Sequence, residues 1–194
     1  MQTAMAHDQV ESGPPGTLVI FTRVEGLLRQ RERAPCDLSR EARDALLSAQ
    51  VPLVLVSDSR APEVQQLQRE MGLVQPFICG HGAALYIPAA YFSEIDEPEA
   101  GPWEVFSFDP PDTAAAIRLL SALFAARGHD KILSVGLGCD CGDGTMLASV
   151  DVPIVVRDQH RDQQSLLQYV PGAYLTTATG AAGWLEAVIG PSLR

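Results

Sequence analysis

In Thr17-Leu-Val-Ile-Phe-Thr-Arg-Val-Glu-Gly-Leu-Leu28 an apolar strand runs straight into a charged turn. Leu18-Val19-Ile20-Phe21 is a continuous apolar run rich in β-branched residues, the pattern of a parallel strand buried on both faces. The turn that follows carries Arg23, Glu25 and Gly26. Further along, apolar runs alternate with amphipathic segments, which predicts an α/β fold: a doubly wound parallel sheet with helices on both faces. Predicted strands cover 51–56, 72–78 (a turn and a short strand), 132–137 and 152–156, the last the final clear one. Residues 83–87 and 105–108 are predicted to pair as a hairpin across a Pro- and acid-rich surface loop, 88–102. Predicted helices cover 38–47, capped by Asp37 or Ser39, then 62–71, 113–127, 146–149 and 182–189.

Bulk properties bound the function. At 194 residues the chain suits one domain, 17–194, behind a disordered lead of residues 1–16. With 46% hydrophobic and 20% charged residues it is globular in composition. A formal net charge of −10 disfavours a nucleic-acid footprint. Arg29, Arg31, Arg33, Arg40 and Arg43 are interleaved with acids and read as a solvated face. No stretch approaches the roughly 20 apolar residues of a membrane span, and the first residues lack the pattern of a signal peptide. Four cysteines do not make a disulfide framework in a chain of this size. The expected compartment is the cytoplasm.

Three predicted strand ends carry polar clusters: Thr22-Arg23-Val24-Glu25, Ser57-Asp58-Ser59 and Cys139-Asp140-Cys141-Gly142-Asp143. In an open parallel sheet, ligands bind beyond the carboxyl ends of the strands, so these clusters are expected to converge.

The order and wording of these motifs resemble the haloacid dehalogenase (HAD) superfamily and, within it, the mannosyl-3-phosphoglycerate phosphatases. Val54-Leu55-Val56-Ser57 resembles the second motif, whose hydroxyl holds a phosphoryl group. Pro76-Phe77-Ile78-Cys79-Gly80-His81-Gly82-Ala83-Ala84 and Gly136-Leu137-Gly138-Cys139-Asp140-Cys141-Gly142-Asp143-Gly144-Thr145-Met146-Leu147 resemble two later segments. Val152 to Arg157, Pro171-Gly172 and Gly183-Trp184 continue the likeness. The resemblance implies a Mg²⁺-dependent phosphatase scaffold with the catalytic positions changed. Arg23 stands where the nucleophilic Asp belongs, and Glu25 replaces the general acid/base. Thr113 replaces the lysine, Cys139 a metal-binding Asp and Gly142 an Asn. Asp143 survives. The segment between Trp103 and Asp112 is too short for the cap domain, which is expected to be essentially absent.

A guanidinium has no lone pair for attack on phosphorus and does not deprotonate in proteins. At about 5 Å it would repel a divalent cation by roughly 7 kcal/mol at an effective dielectric of about 20. Losing a nucleophile alone costs on the order of 10⁶ in rate, about 8 kcal/mol of barrier. These substitutions imply a degenerate enzyme without Mg²⁺ that binds a small anionic or phosphorylated ligand, or a protein partner. The alternative is a Mg²⁺-dependent phosphomonoester hydrolase using Glu25 or Asp143 in a rearranged site.

Two readings of Arg23 stay open. It can pair with Glu25 or Asp143 in the place of the metal, or join Ser57 and helix N-terminal amides to hold a phosphate without metal. Cys139 and Cys141, with Cys79 and His81, form the one conceivable zinc set. Small residues filling a tight turn, or a reactive thiol, are the other readings of the cysteine pair. His7, His129 and His160 read as solvated; Asp58 reads as a helix cap, with an unconventional acid as the other reading.

Overall fold

The computed structural model describes residues 17–28, 46, 48, 50–92, 102–127, 132–161 and 163–192. The expected disordered lead, the arginines between 29 and 43, His7 and His129 lie outside them. So does most of the predicted helix 38–47, of which Leu46 is helical and buried. Residues 93–101 of the predicted surface loop are also outside.

One eight-stranded sheet organises the described residues. In chain order the elements are β1 (Thr17–Arg23), β2 (Leu53–Val56), α1 (Ala61–Met71), β3 (Phe77–Cys79), β4 (Ala84–Pro88), β5 (Trp103–Ser107), α2 (Thr113–Ala126), β6 (Ile132–Gly138), a 3-10 turn (Cys141–Asp143), α3 (Gly144–Leu147), β7 (Val152–Arg157), α4 (Gln164–Tyr169), β8 (Tyr174–Thr179) and α5 (Gly180–Ser192). The spatial order is β5-β4-β3-β2-β1-β6-β7-β8. The strands from β3 through β8 on the β1 side are parallel, whereas β3–β4 and β4–β5 are antiparallel. The sheet is thus the expected parallel-dominated one, and the expected hairpin joins it as an antiparallel outer edge.

β1 shows why its apolar run is unbroken. Side chains alternate across a strand, and Val19 and Phe21 enter one core while Ile20 enters the other. The Ile20 side is covered by Val64 and Leu67 of α1 and Trp184 and Val188 of α5. The Phe21 side is covered by Ile117, Leu120 and Phe124 of α2 and Leu147 of α3. Trp184 Nε1 donates to Thr22 Oγ1 at 3.0 Å, tying α5 to the end of β1.

Two elements were not foreseen in the sequence, α4 and β8. β8 reads Tyr-Leu-Thr-Thr-Ala-Thr and has no apolar run, as suits a half-exposed edge strand. The closing helix starts at Gly180 rather than at 182, and α3 spans 144–147 rather than 146–149. Between β5 and α2 only residues 108–112 intervene, which leaves no room for a cap at that point.

Candidate active-site cleft

The chain reverses direction in the sheet between β1 and β6, the crevice where open α/β sheets take ligands. Arg23 is the last residue of β1 and is only 8% exposed. Its Nη2 is paired with Asp58 Oδ2, just beyond β2. Its Nε lies 2.8 Å from Asp143 Oδ1, beyond β6. That approach is an ion pair by distance, but the N–H is not aimed at the oxygen and makes no hydrogen bond. Glu25 Oε2 stands 3.6 Å from Nη2 and likewise lacks a hydrogen bond. Three strand ends thus meet on one guanidinium.

Each carboxylate is held from behind. Asp143 Oδ2 accepts the N–H groups of Cys139 at 2.7 Å and Asp140 at 2.9 Å. Gly138 permits this fold-back, since a Cβ there would come within 2.7 Å of Asp143 Cβ. Glu25 Oε1 accepts from Ser57 Oγ and from the Asp58 N–H at 3.1 Å. Asp58 Oδ1 receives His81 Nδ1 at 2.7 Å. His81 occupies the β3–β4 turn at φ 57, next to Gly82 at φ 85, where Ala83 N–H returns to Gly80 C=O at 3.0 Å. Two successive left-handed residues make this a type I′ turn, and it aims the imidazole across the cleft.

The electrostatics follow from burial. Desolvation alone would lower the Arg23 guanidinium, but Asp143, Asp58 and Glu25 outweigh it and hold it above its ordinary value. Burial pushes Asp143 up, opposed by the Cys139 N–H, by Arg23 and by the Asp140 N–H. The two amides and the guanidinium on it favour the charged form of Asp143 against that burial. Cys139 is fully buried, and burial followed by the Asp143 charge pushes its thiol up to about 12, so it is neutral.

This donor set does not suit Mg²⁺, which asks for hard oxygen ligands in octahedral array. Arg23 fills the space between the carboxylates, both Asp143 oxygens are engaged, and Cys139 offers a protonated sulfur. The zinc set fares no better. Among the described residues no three His, Cys, Asp or Glu side chains are grouped to hold a metal. Cys79 is buried and pushed up to about 11, and His81 turns to Asp58. The Cys141 thiol is exposed and is raised by its hydrogen bond to Asp140.

An open cleft of about 220 Å³ fronts this cluster, lined in part by Arg23, Asp58, His81, Asp112, Thr113 and Thr145. Thr113, which the resemblance sets at the lysine position, opens α2 behind Asp112, whose carboxylate caps the Ala115 N–H at 2.9 Å. Of the residues picked out in the sequence, Arg23, Glu25, Ser57 and Asp143 meet in one network. Ser57 is fully buried and committed to Glu25, so the joint phosphate grip of Arg23 and Ser57 has no free donor on the Ser57 side. Asp58 is not a helix cap: Arg60 holds that position of α1, with no side-chain bond. His160 is exposed, as expected.

Two charged partners in and beside this network were not given that place by the sequence reading. Asp58 is, with Asp143, a direct partner of Arg23, and the signal was there: a buried arginine needs more than one counter-charge. Arg161 is the other. It pairs with Asp140 and lies 3.2 Å from Asp158, over the turn after β6. Nothing in its local sequence marks it.

The architecture defines a fold class. The chain has the fold of the haloacid dehalogenase-like hydrolases. It aligns with such a hydrolase from Bacteroides thetaiotaomicron at a TM-score of 0.62, with 10% identity, over 89% of this chain and 98% of that one. The cobalt-bound deoxy-D-mannose-octulosonate 8-phosphate phosphatase of Haemophilus influenzae aligns at 0.55, with 12% identity, over 90% and 88%. Within that class the sequence resembles the glucosyl-3-phosphoglycerate/mannosyl-3-phosphoglycerate phosphatases. It is 32% identical to that of Persephonella marina over 74 residues, 38% of this chain and 28% of the relative. It is 32% identical to that of Methanococcoides burtonii over 92 residues, 46% and 34%. The chain thus spans about a third of the length of the curated relatives it matches. No protein-family model matches the sequence.

Proposed function

We propose that this chain is a single-domain, degenerate HAD-like protein that binds a protein partner at its former active-site cleft and transfers no phosphoryl group. The observation that carries this reading is the Arg23 guanidinium, buried among Asp143, Asp58 and Glu25 at the strand end where the resemblance puts a nucleophile. One positive charge faces three negative ones there. A free phosphate or small anion meets net repulsion at that point, which favours a partner with its own donors over an anionic ligand. An open cleft admits a macromolecular surface. Free thiols at Cys79, Cys139 and Cys141 agree with a reducing, cytoplasmic setting. No helix among the described residues is long and apolar enough to cross a membrane.

The test is turnover of an aryl phosphate with millimolar Mg²⁺. The expected result is none above the no-enzyme rate. Hydrolysis that disappears both with EDTA and with Asp143→Ala establishes the alternative instead, a phosphomonoester hydrolase with a rearranged site.

A further inference from the structure

We infer that the outer edge of β5 is a self-association surface, on which a second copy of this chain pairs antiparallel to form a two-fold dimer with one continuous sheet. β5 ends the strand order, and among the described residues no strand lies beyond it. Its sequence, Trp-Glu-Val-Phe-Ser, has no lysine, proline or bulge of the kind that guards sheet edges. Val105 is 48% exposed and Phe106 37%. The opposite edge is different: the β7–β8 pairing is irregular between Val155 and Arg157, and half of β8 is threonine.

The backbone dictates the register. Phe108 N–H bonds to Ala83 C=O at 2.8 Å, and Ala89 N–H to Pro102 C=O at 2.8 Å. Hydrogen-bonded pairs alternate along an antiparallel ladder, so the even-numbered residues of β5 face β4. Trp103, Val105 and Ser107 turn their N–H and C=O groups outward. A two-fold axis through Val105 sets Val105 against Val105, and Trp103 of each copy against Ser107 of the other. Every outward group of the three residues is then used. Glu104 falls opposite Phe106 of the other copy, and no like charges meet. Centring the axis on residue 104 puts Glu104 directly against Glu104, which is destabilising, and leaves Ser107 unpaired. Centring it on Phe106 leaves Trp103 unpaired. Only the Val105 register satisfies both backbone and charge.

The experiment is sedimentation equilibrium of the full chain at about 10–100 μM, with two variants. The wild type is expected to be a dimer. Val105→Pro is expected to be a monomer with unchanged circular dichroism, because the deleted N–H points away from β4 and proline is tolerated at such edge positions. Facing Cα atoms in a hydrogen-bonded pair lie about 5.5 Å apart, within disulfide reach. Val105→Cys should therefore oxidise to a covalent dimer through residue 105, identified as the linked peptide by mass. Glu104→Cys, offset from its own copy, should not. A monomeric wild type overturns the inference, and so does a dimer in which Val105→Cys fails to cross-link. A cross-link through Glu104→Cys alone overturns the register and with it the argument.

Discussion

Arg23 sits where its removal is costly and its retention is not especially favourable. A buried ion pair roughly breaks even against an apolar substitute, whereas deleting one partner leaves a buried charge uncompensated, at about 3–5 kcal/mol. Arg23→Ala is expected to lower unfolding free energy by about 3 kcal/mol in denaturant titration, with Arg23→Lys recovering part of it. The pH dependence has a definite sign. Burial raises Asp143, and Arg23 is one of the groups opposing that rise. Without Arg23 the folded value climbs further above the unfolded one. Such an acid stabilises the fold below its unfolded value and loses that contribution as pH rises. The deficit of Arg23→Ala should therefore be largest near pH 7 and shrink towards pH 4. A deficit constant across that range means that Asp143 is not the group left unpaired. Arg23, Glu25 and Asp143 were legible because each ends or follows an apolar run. The role of Asp58 was not, since its partner comes from a strand 35 residues away and local sequence offers it a capping role equally well.

At the scale of elements, the most instructive miss is β8 and its join to α5. Thr-rich half-exposed strands carry little period-two contrast, so the strand is specified by its surroundings rather than its own residues. Glu186 of α5 supplies part of that specification. Its carboxylate accepts the N–H groups of Thr177 at 2.9 Å and Ala178 at 2.8 Å, and the Tyr174 hydroxyl at 2.7 Å. The Ala178 and Thr177 amides, then Tyr174, hold it down at about 2. A depressed acid stabilises above its unfolded value and loses that contribution as pH falls through the folded one. The melting temperature of the wild type should exceed that of Glu186→Gln at pH 7, and the gap should close between about pH 4.5 and pH 2. Parallel melting curves of the two proteins over that interval would show that Glu186 does not secure the corner. By contrast the helix at 113–126 was readable because Ile117, Leu120 and Phe124 recur on one face and bury against the sheet.

At the scale of the whole molecule, a fold shared with the haloacid dehalogenase-like hydrolases stands around a guanidinium. A sheet covered on both faces follows from apolar periodicity, and the meeting of its polar strand ends from the topology of such sheets, so both were visible in the sequence; the strand order that sets β6 beside β1 was not. The antiparallel edge was visible only as a hairpin, because strand pairing beyond it is a tertiary matter. If the strand ends correspond to those of metal-dependent relatives, the scaffold should accept a metal once its charges are restored. Arg23→Asp combined with Cys139→Asp changes the local charge by three units, two at Arg23 and one at the neutral thiol. Asp143 and Asp58 remain in place beside it. A ligand that binds only the folded state stabilises it by mass action, about 2.7 kcal/mol at one hundred times its dissociation constant. The double variant should melt higher in millimolar Mg²⁺ than in EDTA, while the wild type, with Arg23 in the cation's place, shows no difference. A folded double variant indifferent to Mg²⁺ would mean that Arg23 and Cys139 do not occupy ligand positions. The salt-bridged cluster would then be an original feature of this cleft rather than the successor to a metal.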